Sequence, residues 1–191
     1  MKNLGELFLI SSGLVSKRKE APPDVFGFEY RLLNLRSVNQ LGFIEKECLD
    51  DYMSTEKIDE KYLAKTGDIV IRLSTPFTAV VIDQNSQGVI ITSLFAILRP
   101  KTCEVLPDFV AMYLNSDVMK KQYLKDASGS ALQMIKTSVI KDYSIKIPNV
   151  SKQEQLIEIN KLSIRESILL EELIEKKTRY NKIIINKLME E

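Results

Sequence analysis

Runs of β-branched and aliphatic residues, separated by short breaks containing Gly, Pro or Ser, dominate the middle of the chain. Tyr30-Arg31-Leu32-Leu33-Asn34-Leu35 reads as a strand, and Leu41-Gly42-Phe43-Ile44 as a turn leading into another short one. After Lys65-Thr66-Gly67, the segment Asp68-Ile69-Val70-Ile71-Arg72-Leu73 is strongly strand-like, and Ala79-Val80-Val81-Ile82 follows across a Ser74-Thr75-Pro76-Phe77 loop. Residues 88–100 supply one long bent strand or two in series. β-branched enrichment with short turns makes these runs the sheet core.

From Pro107 the period changes. Phe109, Val110, Met112, Tyr113, Leu114, Val118, Met119 and Tyr123 recur near helical spacing, which predicts one helix ending by Asp126, with Pro107 in its first turn. Ser128-Gly129-Ser130 then turns the chain, Thr137 caps a short helical turn, and residues 143–147 return to a strand. Upstream, Ser11-Ser12-Gly13 and Ala21-Pro22-Pro23-Asp24 punctuate a strand or short helix followed by an exposed loop that carries Lys17-Arg18-Lys19.

The sheet pattern stops at Pro148. Ser151 as N-cap and Glu154 three residues later form a capping-box pattern, and no Gly or Pro follows to the end. Ile159, Leu162, Leu169, Leu173, Tyr180 and Ile183 fit alternating three- and four-residue steps, interrupted by Glu166 and Lys176. Leu170, Ile174, Ile184 and Leu188 widen this stripe. Such a helix is longer than one face of a domain can cover and needs another partner. The organisation expected is an α+β (mixed α/β) globular domain over residues 1–150 and a long coiled-coil-type helix over residues 151–191.

Composition sharpens the picture mainly by exclusion. Of 191 residues, 27 are Lys or Arg and 26 Asp or Glu, so the global field names no polyanion partner and any nucleic-acid contact must come from local clusters. Residues 45–60 hold seven acids and two lysines, whereas Lys17-Arg18-Lys19, Lys136, Lys141 and Lys146 are basic. Cys48 and Cys103 belong to no C-x-x-C pair and are expected as two buried reduced thiols. No apolar run reaches the length of a membrane span, so a soluble cytoplasmic protein is expected.

With no histidine, Ser-His-Asp and Cys-His catalysis and His-ligated metals are excluded. Neither a G-x-x-x-x-G-K-[ST] loop nor G-x-G-x-x-G occurs, and the Asn/Asp-Pro-Pro-Tyr/Phe signature of amine methylation is missing. Asp24 with Glu29 only faintly matches a Mg²⁺ nuclease pair, for which an ordinary loop is the simpler reading. No metal and no cofactor is implied.

One ordered set of motifs is present. Gly129-Ser130-Ala131-Leu132 leads to a strand closing on Ile145-Lys146-Ile147-Pro148, and Glu154-Gln155-Leu156-Ile157-Glu158 opens the helix. Before these come Ser12-Gly13, Gly67-Asp68-Ile69-Val70-Ile71, and Pro107-Asp108-Phe109-Val110-Ala111-Met112-Tyr113-Leu114-Asn115-Ser116. Over nearly its whole length the chain resembles the DNA-specificity subunit of type I restriction-modification systems. The resemblance implies a non-catalytic target-recognition domain on double-stranded DNA that positions a methyltransferase subunit and, in some assemblies, a restriction nuclease-translocase.

Family members usually carry two such domains, each followed by a long helix, the two helices lying antiparallel. With one of each, this chain resembles a half-subunit, expected to homodimerise through residues 151–191 on a bipartite site. Lys17, Arg18, Lys19 and Lys136 are the candidate phosphate contacts, the alternative for each being a solvated loop charge. Asn39, Gln40, Arg72 and Gln133 are candidate base readers by residue type and placement, with Ser74 and Thr75 beside them. Ile159, Leu162, Leu169, Leu173, Tyr180 and Ile183 are the candidate dimer seam. The alternative is a coiled-coil adaptor that binds protein only, which the near-zero net charge and the acidic stretch favour.

Overall fold

The computed structural model describes residues 1–22, 26–127 and 133–190. Pro23 and Asp24, the Ser128-Gly129-Ser130 turn, and Ala131 and Leu132 of the motif lie outside them. By its contacts the chain divides into Met1–Gln153 and Glu154–Glu191.

In the first unit, β2 (Phe8–Ser12), β8 (Phe95–Pro100), β5 (Ile69–Arg72) and β6 (Ala79–Val81) form a four-stranded antiparallel sheet in the order β2-β8-β5-β6. A second sheet has β3 (Phe28–Leu33) between antiparallel β4 (Asp50–Ser54) and parallel β7 (Ile90–Ile91). The strand alternation explains how the two sheets share a core. Leu33 and Ile91 point into a cluster with Val70, Val80, Phe95 and Ile97, while their neighbours Leu32 and Ile90 point the other way, into a cluster with Leu14, Tyr52 and Ile58. A third, two-stranded ladder joins β1 (Lys2–Asn3) to β9 (Ser144–Ile145), so that the N-terminus is stitched beside the end of the domain.

Among the described residues four short α-helices, with several 3-10 turns, complete this unit. α1 (Leu4–Leu7) lies against α4 (Thr137–Asp142), and α2 (Pro107–Leu114) lies against β6. The single helix expected from Pro107 to Asp126 is two, α2 and α3 (Asp117–Ala127), because Asn115 is used to close a strand edge. Its Oδ1 accepts from the Ala79 N–H at 2.7 Å and its Nδ2 donates to the Ala79 carbonyl at 2.8 Å. Thr137 does not cap α4 through its hydroxyl; it occupies the first helical position and its Oγ1 lies 3.0 Å from Ser12 Oγ.

Other boundaries differ too. The strand expected at residues 30–35 runs Phe28–Leu33, with Leu35–Ser37 a 3-10 turn capped by the Asn34 carboxamide. Residues 41–44 make a turn with Gly42 at φ +89° and a single bridge from Val38 to Ile44. Strand β4 falls in the acidic stretch and shows no apolar run. The cysteines are not buried: Cys103 is exposed and Cys48, in the 3-10 turn Lys46–Cys48, is half-buried with its thiol 3.5 Å from Glu45 Oε2. Both sit on connecting turns, where the core cannot enclose them.

Helix α5 (Val150–Glu190) has 41 residues, about 62 Å at 1.5 Å per residue. Its cap is Asn149, not Ser151: Asn149 Oδ1 accepts from the Lys152 N–H at 2.9 Å, and its carbonyl accepts from the Gln153 N–H. Gln153 is fully buried in the first unit. Its Oε1 accepts from the Leu106 N–H at 2.9 Å, and its Nε2 donates to the carbonyls of Pro148 and Glu104. In the second unit, Ile159, Leu162, Leu169, Leu173, Tyr180 and Ile183 are all exposed. Among the described residues no helix is long and apolar enough to cross a membrane.

Candidate nucleic-acid interface

At one end of the four-stranded sheet β2 and β5 finish while β8 and β6 begin, since Ser12 pairs with Ala96, Arg72 with Phe95 and Ile71 with Ala79. Four segments remote in sequence meet at this end, three of them through backbone hydrogen bonds and the fourth through a side chain and a close approach. Gly13 and Leu14 continue from β2 by donating to Phe95 and Ile91, which leads into the 3-10 turn Ser16–Arg18. That turn is anchored where Tyr52 donates its hydroxyl to the Ser16 carbonyl at 2.7 Å. Gly13 is required here: a Cβ would stand 2.2 Å from the Thr92 carbonyl oxygen and 2.4 Å from that of Ile91.

The β5–β6 loop is the second segment. Leu73 donates to Leu94, and Phe77, at φ +56°, donates to the Ser74 carbonyl at 2.9 Å. The third segment arrives alongside it, with Ile135 donating to the Leu73 carbonyl at 2.9 Å and Met134 bridging Ser74. Gln133 precedes these at φ +46°, a left-handed value that costs a residue with a Cβ. The fourth is residues 34–42: the Leu35 carbonyl meets Arg72, and Gly42 lies against Asn115 and Ala79 at the start of β6.

The sequence-derived candidates can now be placed. Lys17, Arg18, Gln40, Thr75, Gln133 and Lys136 are exposed. Arg72 and Ser74 are half-buried and joined, with Arg72 Nε donating to Ser74 Oγ at 3.2 Å. Burial pulls the Arg72 guanidinium below its ordinary value, and among the described residues no carboxylate answers it. Lys19 is occupied by an ion pair with Glu56 at 2.7 Å. Asn39 is committed to its turn, its Oδ1 accepting from the Leu41 N–H at 2.8 Å and its Nδ2 donating to Glu45 at 2.6 Å.

Sequence reading missed two features of this end, the half-exposed Leu94 and the hydroxyl pair Ser12–Thr137. Neither has a signal in its own residue type; both follow from which strands finish together. Nor does the acidic stretch form a repelling face. Asp51 pairs with Arg31 at 3.3 Å, Asp50 with Arg36, Glu56 with Lys19, Asp59 with Lys61 and Glu60 with Lys65. Among the described residues no group of three or more acidic or thiol side chains is placed to hold a metal ion.

Solved structures share this fold. The HsdS subunit from Thermoanaerobacter tengcongensis superposes with a TM-score of 0.65 at 14% identity, over 93% of this chain and 45% of that one. A chain from a structure described as the structural basis of complex assembly and conformational transition of the type I R-M system gives 0.59 at 14%, over 92% and 43%. The present chain therefore spans less than half the length of either. No curated protein matches it. Its fold is that of HsdS subunits, a mixed α/β domain with a long C-terminal helix. Residues 1–178 match the family described as type I restriction modification DNA specificity domain, and the chain belongs to that family.

Proposed function

We propose that this chain is the non-catalytic, DNA-reading component of a type I restriction-modification system. Two copies joined through α5 read the two halves of a bipartite site and position a methyltransferase and, in some assemblies, a nuclease-translocase. The observation that carries this reading is the gathering of four distant segments, with Lys17, Arg18, Arg72, Gln133 and Lys136, at one end of a sheet in a DNA specificity domain. Exposed cations supply the sequence-independent attraction to phosphate, and amide and guanidinium groups supply the donors and acceptors that match base edges.

The exposed apolar stripe from Ile159 to Ile183 supports the dimer, because so much apolar side chain along one helix is stable in water only when covered. Charge supports the direction. Residues 151–175 carry three basic and six acidic side chains, and residues 176–191 five basic and two acidic. Antiparallel copies set unlike halves against each other, whereas parallel copies align like with like. A two-fold dimer presents identical readers to a palindromic target.

Fluorescence anisotropy with duplexes carrying candidate bipartite sites, titrated with salt and with or without a methyltransferase subunit, tests the proposal. Selective binding whose log affinity falls linearly with log salt is expected. Binding to the methyltransferase with no affinity for DNA at any salt concentration would instead establish the protein-only adaptor.

A further inference from the structure

Arg72 is the one candidate reader whose side chain is both held and left incomplete. Of its five N–H groups, Nε donates to Ser74 Oγ at 3.2 Å and one Nη1 hydrogen faces the Leu35 carbonyl at 3.5 Å. The remaining Nη1 hydrogen and both Nη2 hydrogens have no partner among the described residues, and no described carboxylate forms an ion pair with this half-buried cation. The other half-buried arginine of the sheet, Arg99, is fully answered by Asp68 at 2.7 Å. A half-buried cation without an internal anion is a costly arrangement, so its complement is to be sought outside the chain.

From this we infer that Arg72 is a specificity-determining residue that reads a guanine in each half-site, with Ser74 as the positioning residue that fixes its fork. The inference rests on the DNA-reading function proposed above. Ser74 holds the Nε edge of the guanidinium and the Leu35 carbonyl faces Nη1, which sets its plane and leaves both Nη2 hydrogens and one on Nη1 without a partner among the described residues. Two parallel donors match the adjacent O6 and N7 acceptors of guanine, and no other base offers two acceptors there.

A backbone phosphate would also accept from the arginine fork, but the exposed Lys17, Arg18 and Lys136 already suit that task. Partial burial adds discrimination: an adenine or cytosine would turn an amino donor toward the guanidinium and leave the half-buried cation unpaired. The left-handed backbone at Gln133 and Phe77, on either side of Ser74, matches the habit of storing strain where a side chain must be aimed.

The test is binding of the full chain, with a methyltransferase subunit, to a selected target and to every single-base-pair variant of it. The unaltered chain should require guanine at one symmetry-related pair of positions, with other bases there about 10- to 100-fold weaker. Arg72→Met and Arg72→Lys should each erase that requirement and leave preferences elsewhere unchanged. Ser74→Ala should reduce it part-way, and Ser74→Thr should keep it, which gives an outcome even where an Arg72 variant does not fold. Equal weakening on all sequences by Arg72→Met, relieved by Arg72→Lys, would show a phosphate contact and overturn the inference. An unchanged guanine requirement would also overturn it, with the DNA-reading function intact. No selective binding by the unaltered chain would overturn that function and this inference with it.

Discussion

Replacing Asp68 by Asn tests how the domain holds the end of the sheet opposite the proposed reading surface. Asp68 is 1% exposed, and its carboxylate accepts from Arg99 Nη2 at 2.7 Å, Arg99 Nε at 2.9 Å and the Lys65 N–H at 2.9 Å. Its backbone continues the same clasp, the Asp68 carbonyl accepting from the Ile82 N–H at 2.8 Å, while Arg99 Nη2 also donates to Leu63. The hydrogen bond it donates to Asp68 holds the Arg99 guanidinium above its ordinary value.

Asn has the same shape but no charge, and it turns an N–H₂ toward the guanidinium on one side. Removing one member of a buried pair costs about 3–5 kcal/mol. Arg99 keeps 24% of its side chain in water and can rehydrate in part, so a loss of about 3 kcal/mol is expected, at the low end of that range. That corresponds to a fall in Tm of about 6–12 °C for a domain of this size. Urea denaturation followed by near-ultraviolet circular dichroism suits the assay, because Tyr123 and Tyr143 are buried and the chain has no tryptophan. A cycle with Arg99→Gln should show coupling above about 1 kcal/mol. A loss below about 1 kcal/mol, or strictly additive single variants, would refute the reasoning.

Other perturbations reach different parts of the molecule. Gly13→Ala should cost about 2–3 kcal/mol in urea denaturation, since its Cβ meets the Thr92 and Ile91 carbonyls rather than a side chain that can move. Gln153→Leu should cost about 2–3 kcal/mol by the same measurement, because the Leu106 N–H loses its acceptor inside the protein. Lys17→Ala with Arg18→Ala should weaken DNA binding on all sequences alike and reduce the log–log salt slope by about 2 per bound domain, read by anisotropy. Stability should be flat from pH 6 to 8, as the chain has no histidine. The Asn34 side chain and then Arg36 hold Asp50 below the usual carboxylate range, so its contribution is present above the unfolded value and lost as pH falls below about 4, measured by denaturation across pH.

How much of this the chain disclosed depended on whether the cause was local. β5 and β8 were readable because continuous apolar runs, Ile69–Ile71 and Phe95–Leu98, are buried on both faces. β4 was not, since Asp50 and Asp51 mask a strand whose buried residues are Tyr52 and Ser54. The break at Asn115 and the cap at Asn149 each turn on one side-chain amide that finds a backbone partner, and Ser151 offered an equally plausible cap two residues on.

Residue type was enough to nominate Arg72 and Gln133, but not to foresee the ion pair of Lys19 or the turn contacts of Asn39. These depend on partners two, six and 37 positions away. The meeting of residues 12–18, 34–42, 72–79 and 133–137 is a property of sheet topology, which no local pattern contains. The helix stripe was legible throughout, because a period needs no tertiary partner to be seen.

Selection of bound duplexes from a random library by the full chain, assembled with a methyltransferase subunit, tests the central claim most directly. The account predicts one enriched motif, a pair of inverted half-sites separated by a spacer of fixed length. Recovery of no enriched motif, while the chain remains folded and bound to the methyltransferase, would contradict it.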